Sequence, residues 1–148
     1  MTTMTALATQ VYQVFIKAAP EQIWDAITKP EFTEKYFYGS RVSVTPEAYT
    51  GRDGNGNDLV IGSVSEFDPP RRLVHEWRSL YDPEMAGEQP SRVTWEIEAQ
   101  EQGYSLLTVV HDQLENSPKT AENVSGVGWM LVLSGLKTFV ETGKPLAD

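Results

Sequence analysis

Apolar residues recur with a period of two over most of this chain and switch to a helical period only near its two ends. In "VYQVFIKA" (11–18), Tyr12, Val14, Ile16 and Ala18 fall on one face, while Val11, Gln13, Phe15 and Lys17 fall on the other. That alternation predicts a strand with the first face inward. "RLVHEWRSLY" (72–81) places Leu73, His75, Trp77 and Ser79 together. "SRVTWEIEAQ" (91–100) places Val93, Trp95 and Ile97 opposite Thr94, Glu96 and Glu98. "YSLLTVVHD" (104–112) aligns Leu107, Val109 and His111. Further strands are predicted at "SRVSVT" (40–45), "EAYTGR" (47–52) and "DLVIGSVSEFD" (58–68), with turns at "DPPRR" and at Gln102-Gly103.

The helical period comes first at "PEQIWDAIT", where Pro20 and Glu21 suit a first turn and Ile23, Trp24 and Ile27 form an apolar stripe. Pro30 restarts a second short helix. "QLENSPKTAEN" (113–123) reads as a polar loop leading to a last helix over 125–142. On that helix Trp129, Val132, Leu133, Leu136, Phe139 and Val140 share one arc, and Gly143 ends it. A sheet face of large apolar residues must be covered, and only the last helix is long enough to cover it. The predicted fold is α+β: a curved antiparallel sheet wrapped around a long C-terminal helix, with two short helices after the first strand. It forms one domain over 1–148, with an ordered core of about 9–145 and tails at 1–8 and 146–148.

Gly128 and Gly135 lie inside the last helix, seven residues apart on one shoulder of its apolar arc. Glycine costs about 1 kcal/mol against alanine there. Either a neighbour packs against bare backbone, or the helix and sheet enclose a void.

Composition narrows the function. The net charge is -9 and the twelve Lys and Arg are scattered, which argues against a nucleic-acid-binding face. There are no cysteines, so disulfides, thiolate metal sites and thiol nucleophiles are excluded. "MTTMTALATQ" is not a secretory signal, and no apolar run approaches the roughly 20 residues of a membrane span. A soluble cytoplasmic protein without membrane insertion is expected.

Candidate chemistry is sparse. His75 and His111 are the only histidines, and alternation puts both on the apolar face of the sheet. They could orient a polar ligand group or act as acid and base. Alternatively, they are hydrogen-bonded core residues. No third ligand is spaced to make a metal site with them, and no cofactor motif is present. "GRDGNGND" (51–58) resembles the start of a calcium loop, but position 6 is Asp58 rather than glycine and position 12 is Val64 rather than glutamate. A hairpin turn fits it better. Glu76 and Arg78 share the outer face of one strand and read as a solvated pair.

Four segments carry a resemblance. "KAAPEQIWDAITKPE" (17–31), "GSVSEFDPPRRLVHEW" (62–77), "SRVTWEIE" with "LLTVVHD", and "GWMLVLSGLKTFVETG" (128–143) follow one another as in the START-like helix-grip superfamily. Within it the chain resembles the branch named for the activator of heat-shock-protein-90 ATPase. It departs at Tyr36-Phe37-Tyr38, where members often carry a Trp-rich segment, and over 40–58. The resemblance implies a cavity between the long helix and the concave sheet. A small hydrophobic ligand, lipid-like or aromatic, would sit there against Trp77, Trp95, Val109, Trp129, Leu133 and Leu136, with His75 and His111 as polar handles. Two alternatives remain: a chaperone-associated, ATPase-activator-like interaction module, and a cyclase- or hydrolase-like enzyme using the same pocket.

Overall fold

The computed structural model describes residues 8–146. Of the expected tails, residues 1–7 and 147–148 lie outside the described residues. Seven strands form one antiparallel sheet: β1 (Gln10–Ile16), β2 (Arg41–Val44), β3 (Ala48–Arg52), β4 (Asp58–Asp68), β5 (Arg72–Ser79), β6 (Ser91–Ala99) and β7 (Ser105–Asp112). Their order is β1-β7-β6-β5-β4-β3-β2. Strands β2 to β7 are a continuous meander, and β1 closes against β7 through the register Gln10↔His111 to Ile16↔Ser105. The connection from β1 to β2 therefore crosses the whole sheet. It does so through α1 (Pro20–Thr28) and α2 (Pro30–Thr33).

Local sequence explains these helices. Pro20 fills the first position of α1, and Gln22 accepts the Ala19 N–H at 3.0 Å. Residue 29 is forced into extended backbone by the following proline, which ends α1 and lets α2 restart. Ile23, Trp24, Ala26 and Ile27 are buried against the sheet. α1 packs on β6 and α5 (Val127–Thr142) packs on β1, so the two helices share the covering expected of the last one alone.

The predicted strand faces are those observed. Leu73, His75, Trp77, Val93, Trp95, Ile97, Leu107, Val109 and His111 are all buried, whereas Val11 and Phe15 point outward. Pairing puts His75, Val93 and His111 on one rung of β5, β6 and β7. "GRDGNGND" is a hairpin turn, with the Asp53 carboxylate accepting the N–H groups of Asn55 and Asn57 at 2.8 and 2.9 Å.

Two expectations need correction, and one helix has no counterpart in the sequence reading. The loop 113–123 contains α4 (Pro118–Val124). The Glu88 carboxylate accepts the Lys119 and Thr120 N–H groups at its start (2.8 and 3.0 Å), a long-range cap invisible to local reading. A one-turn helix, α3 (Pro83–Ala86), follows β5, capped by Asp82. Glu76 and Arg78 are not a pair. Glu76 accepts from Ser63 at 2.7 Å, and Arg78 donates to the carbonyls of Ala86 and Glu88 at 2.8 and 3.0 Å.

The glycines of α5 are both close-approach positions. A Cβ on Gly135 would meet Tyr36 Cβ at 3.0 Å, and one on Gly128 would meet the Asn123 carbonyl oxygen at 3.0 Å. A third glycine is more constrained than either. A Cβ on Gly62 in β4 would lie 1.7 Å from the carbonyl oxygen of Glu76.

Candidate functional site

A cleft of about 450 Å³ opens between the first half of α5 and the β4–β5 side of the sheet. α5 contributes Gly128, Trp129 and Val132; α4 contributes Asn123 and Val124; β4 contributes Leu59 and Val60; β5 contributes Trp77. Phe37, Tyr38, Ser40 and Tyr81 complete the wall.

The segment after α2 is held by buried hydrogen bonds, which sets where its aromatics stand. Thr33, fully buried, donates to the Ser40 carbonyl at 2.9 Å and accepts the Val42 N–H at 2.8 Å. The Tyr36 hydroxyl donates to the Ala26 carbonyl at 2.7 Å. Phe37 is thereby placed between two indoles, near-parallel to Trp77 (6.4 Å, 26°) and edge-on to Trp129 (6.2 Å, 72°). Tyr38 is 65% exposed and reaches the Gly128 carbonyl at 3.3 Å. Tyr81 is 50% exposed and donates to Asn123 Oδ1 at 2.6 Å. These two tyrosines join the sheet side of the mouth to the corner between α4 and α5. Gly128 permits that corner, because any side chain there would press on Asn123.

Behind the cleft lies a second layer of rings. Trp129 donates its indole N–H to Nδ1 of His111 at 3.2 Å. His111 Nε2 then donates to Ser91 Oγ at 2.7 Å, and Ser91 donates to the Trp77 carbonyl at 3.3 Å. Trp95 donates to Nε2 of His75 at 3.0 Å, so Nδ1 of His75 carries the proton and donates to the Glu76 carbonyl at 2.8 Å. Tyr49 stacks flat on His75, with ring centres 3.8 Å apart. Trp77 places its own N–H on Ser79 Oγ at 3.1 Å. Every imidazole nitrogen is matched in the neutral form. An added proton would set an N–H against the N–H of an indole. Burial lowers the His75 pKa to about 4. Burial, then the neighbouring His75, lowers that of His111 to about 3.

Of the eight residues singled out in the sequence, Trp77 and Trp129 line the cleft. Trp95, Val109, Leu133, Leu136, His75 and His111 are buried in the core outside its lining. The rings of Trp95 and the two histidines fill the space that a deeper cavity would need. An acid–base role for either histidine would require breaking its indole bond. Among the described residues, no group of three or more His, Asp or Glu is placed to hold a metal ion.

The sequence reading missed Phe37, Tyr38, Tyr81 and Asn123. A signal existed for the first two, since three consecutive aromatics between helix and strand are a costly thing to leave in solvent. Ser117-Pro118 was likewise a readable helix start that would have placed Asn123 near a helix end.

Residues 17–141 match the family described as Activator of Hsp90 ATPase homolog 1-like protein. No curated protein matches the sequence. Among solved structures, the Aha1 dimer from Colwellia psychrerythraea is similar at a TM-score of 0.71 and 18% identity, over 93% of this chain and 99% of that one. Protein MLL2253 from Mesorhizobium loti is similar at 0.70 and 18% identity, over 89% and 96%. PFC0360w, an HSP90 activator from Plasmodium falciparum, is similar at 0.65 and 18% identity, over 93% and 98%. At these identities the likeness is one of fold. With the family match covering most of its length, the chain belongs to the Activator of Hsp90 ATPase homolog 1-like protein family, in the START-like helix-grip superfamily.

Proposed function

We propose that this protein binds a small hydrophobic molecule in the cleft between α5 and the sheet, acting in the cytoplasm as a carrier or sensor. The observation that carries this reading is the aromatic cleft itself. Phe37, Trp77 and Trp129 present ring surface to a space of about 450 Å³, within the usual size of small-molecule sites. Its wall is mainly apolar, so an apolar occupant would remove that surface from water. Trp77 and Trp129 supply walls from the residues singled out in the sequence. Behind them His111 holds the Trp129 indole by its hydrogen bond, and His75 and Trp95, bonded to each other, pack against these rings rather than touching the ligand.

Native mass spectrometry of the protein purified from its own host tests this reading. An apolar adduct of one molecule per chain, lost in a Val132→Trp variant that fills the cleft, supports it. An adduct that survives in that variant contradicts the placement.

A second reading is favoured by the family description and by the fold shared with a Plasmodium falciparum protein described as an HSP90 activator. In it, the outer face of α5, where Val127, Met130 and Leu131 are exposed, contacts a chaperone. Stimulation of a chaperone's ATPase by the wild type, lost in Met130→Glu, supports this reading. Stimulation unaffected by that change would remove α5 from the contact.

A further inference from the structure

The polarity of the cleft restricts what its occupant can be. No Lys, Arg, His, Asp or Glu lines it. The polar side chains of its lining are Ser40, Asn123, the hydroxyls of Tyr38 and Tyr81, committed to Gly128 and Asn123, and the indole N–H groups of Trp77 and Trp129, committed to Ser79 and His111. Three cations next to lining residues in sequence or in space have partners of their own. Lys119 lies 3.4 Å from Asp82 and 3.5 Å from Glu84. Arg41, next to Ser40, is paired with Glu34. Arg78, next to Trp77, is held by backbone carbonyls. Asp58, before Leu59, is paired with Arg52, and Asp82, after Tyr81, is the partner of Lys119; Glu122 precedes Asn123, on a chain of net charge -9.

We propose that the cleft selects an uncharged ring compound and rejects anionic amphiphiles. This rests on the reading of the cleft as the ligand site. An anionic head buried here would find no cation among the lining side chains, and left at the mouth it would have to compete with the carboxylates that already hold Lys119 and Arg41. Phe37, Trp77 and Trp129 pack on one another at 26°, 72° and 49°, and a flat ring in the cleft would extend this aromatic cluster. A single neutral polar group on the ligand would lie at the mouth, beside the Asn123 amide and Ser40. The class so defined is a neutral aromatic, as opposed to a fatty acid, a phospholipid or a coenzyme-A thioester.

The test uses two fluorescent arylamines on the full-length protein. N-phenyl-1-naphthylamine is neutral; 8-anilinonaphthalene-1-sulfonate has the same ring skeleton and adds a sulfonate. The inference expects saturable one-to-one binding of the neutral probe, with the sulfonate weaker by at least about tenfold. Binding of the neutral probe should be lost in both Val132→Phe and Leu59→Phe, which enter the cleft from opposite walls. Two variants are used so that one misfolded protein does not decide the result. Equal affinity for the two probes, both lost in the variants, overturns the charge selection while leaving the cleft as the binding site. Failure of the neutral probe to bind, or binding untouched by both variants, overturns the cleft reading and the inference with it.

Discussion

The indole nitrogen of Trp129 and Nδ1 of His111 are 3.2 Å apart, and this bond fastens the wall of the cleft to the end of β7, the strand next to the β1 edge of the sheet. Both residues are buried, so neither partner can be replaced by water. Trp129→Phe keeps most of the ring but removes the donor. The orphaned Nδ1 and the lost volume are expected to cost about 2–4 kcal/mol. Urea unfolding measures it, and a cost below about 0.5 kcal/mol would show that the bond holds nothing.

Acid should weaken the fold well above the range in which carboxylates titrate. Both histidines have folded-state pKa values below the ordinary 6.5, at about 4 and about 3. The unfolded chain therefore takes up protons first. Stability is complete above pH 6.5 and is lost as pH falls from there toward the folded values, at about 1.4 kcal/mol per pH unit for each histidine. The urea midpoint is expected to be flat from pH 8 to 7 and to fall steadily from 6.5 to 5. A midpoint unchanged between pH 7 and 5.5 would contradict the neutral, indole-bonded assignment.

Alanine at Gly62 should be far worse than alanine at Gly135. The first puts a methyl 1.7 Å from a backbone oxygen in the neighbouring strand; the second puts one 3.0 Å from Tyr36 Cβ. Gly62→Ala must push β4 away from β5 and is expected to prevent folding or cost more than about 4 kcal/mol. Gly135→Ala gains about 1 kcal/mol of helix propensity and loses about 1–3 to overpacking, for a net cost of at most about 2 kcal/mol. Thermal melts of the two variants separate these outcomes, and equal melting temperatures would count against the close-approach account.

The strand faces were legible in the sequence because alternation is local and each face meets one environment, core or water. Alternation alone turns His75, Trp95 and His111 inward; that their strands adjoin follows from the sheet topology. The cleft was less legible because its walls come from six separate stretches. The burial of a side chain on a sheet face does not say whether it meets a cavity or another ring. Trp95 and Trp129 are both apolar-face tryptophans by pattern, yet only Trp129 reaches the cleft. Gly62 gave no local sign of its constraint, since the atom it must avoid belongs to Glu76 on the next strand.

The most direct test of the central claim reads the four indole N–H signals by NMR during titration with N-phenyl-1-naphthylamine. Trp77 and Trp129 line the cleft, Trp95 touches it only through Trp129, and Trp24 lies against Phe67 away from it. The expected result is large, saturating shifts for Trp77 and Trp129, a smaller one for Trp95, and none for Trp24. Saturation that leaves Trp77 and Trp129 in place would contradict a ligand site between α5 and the sheet.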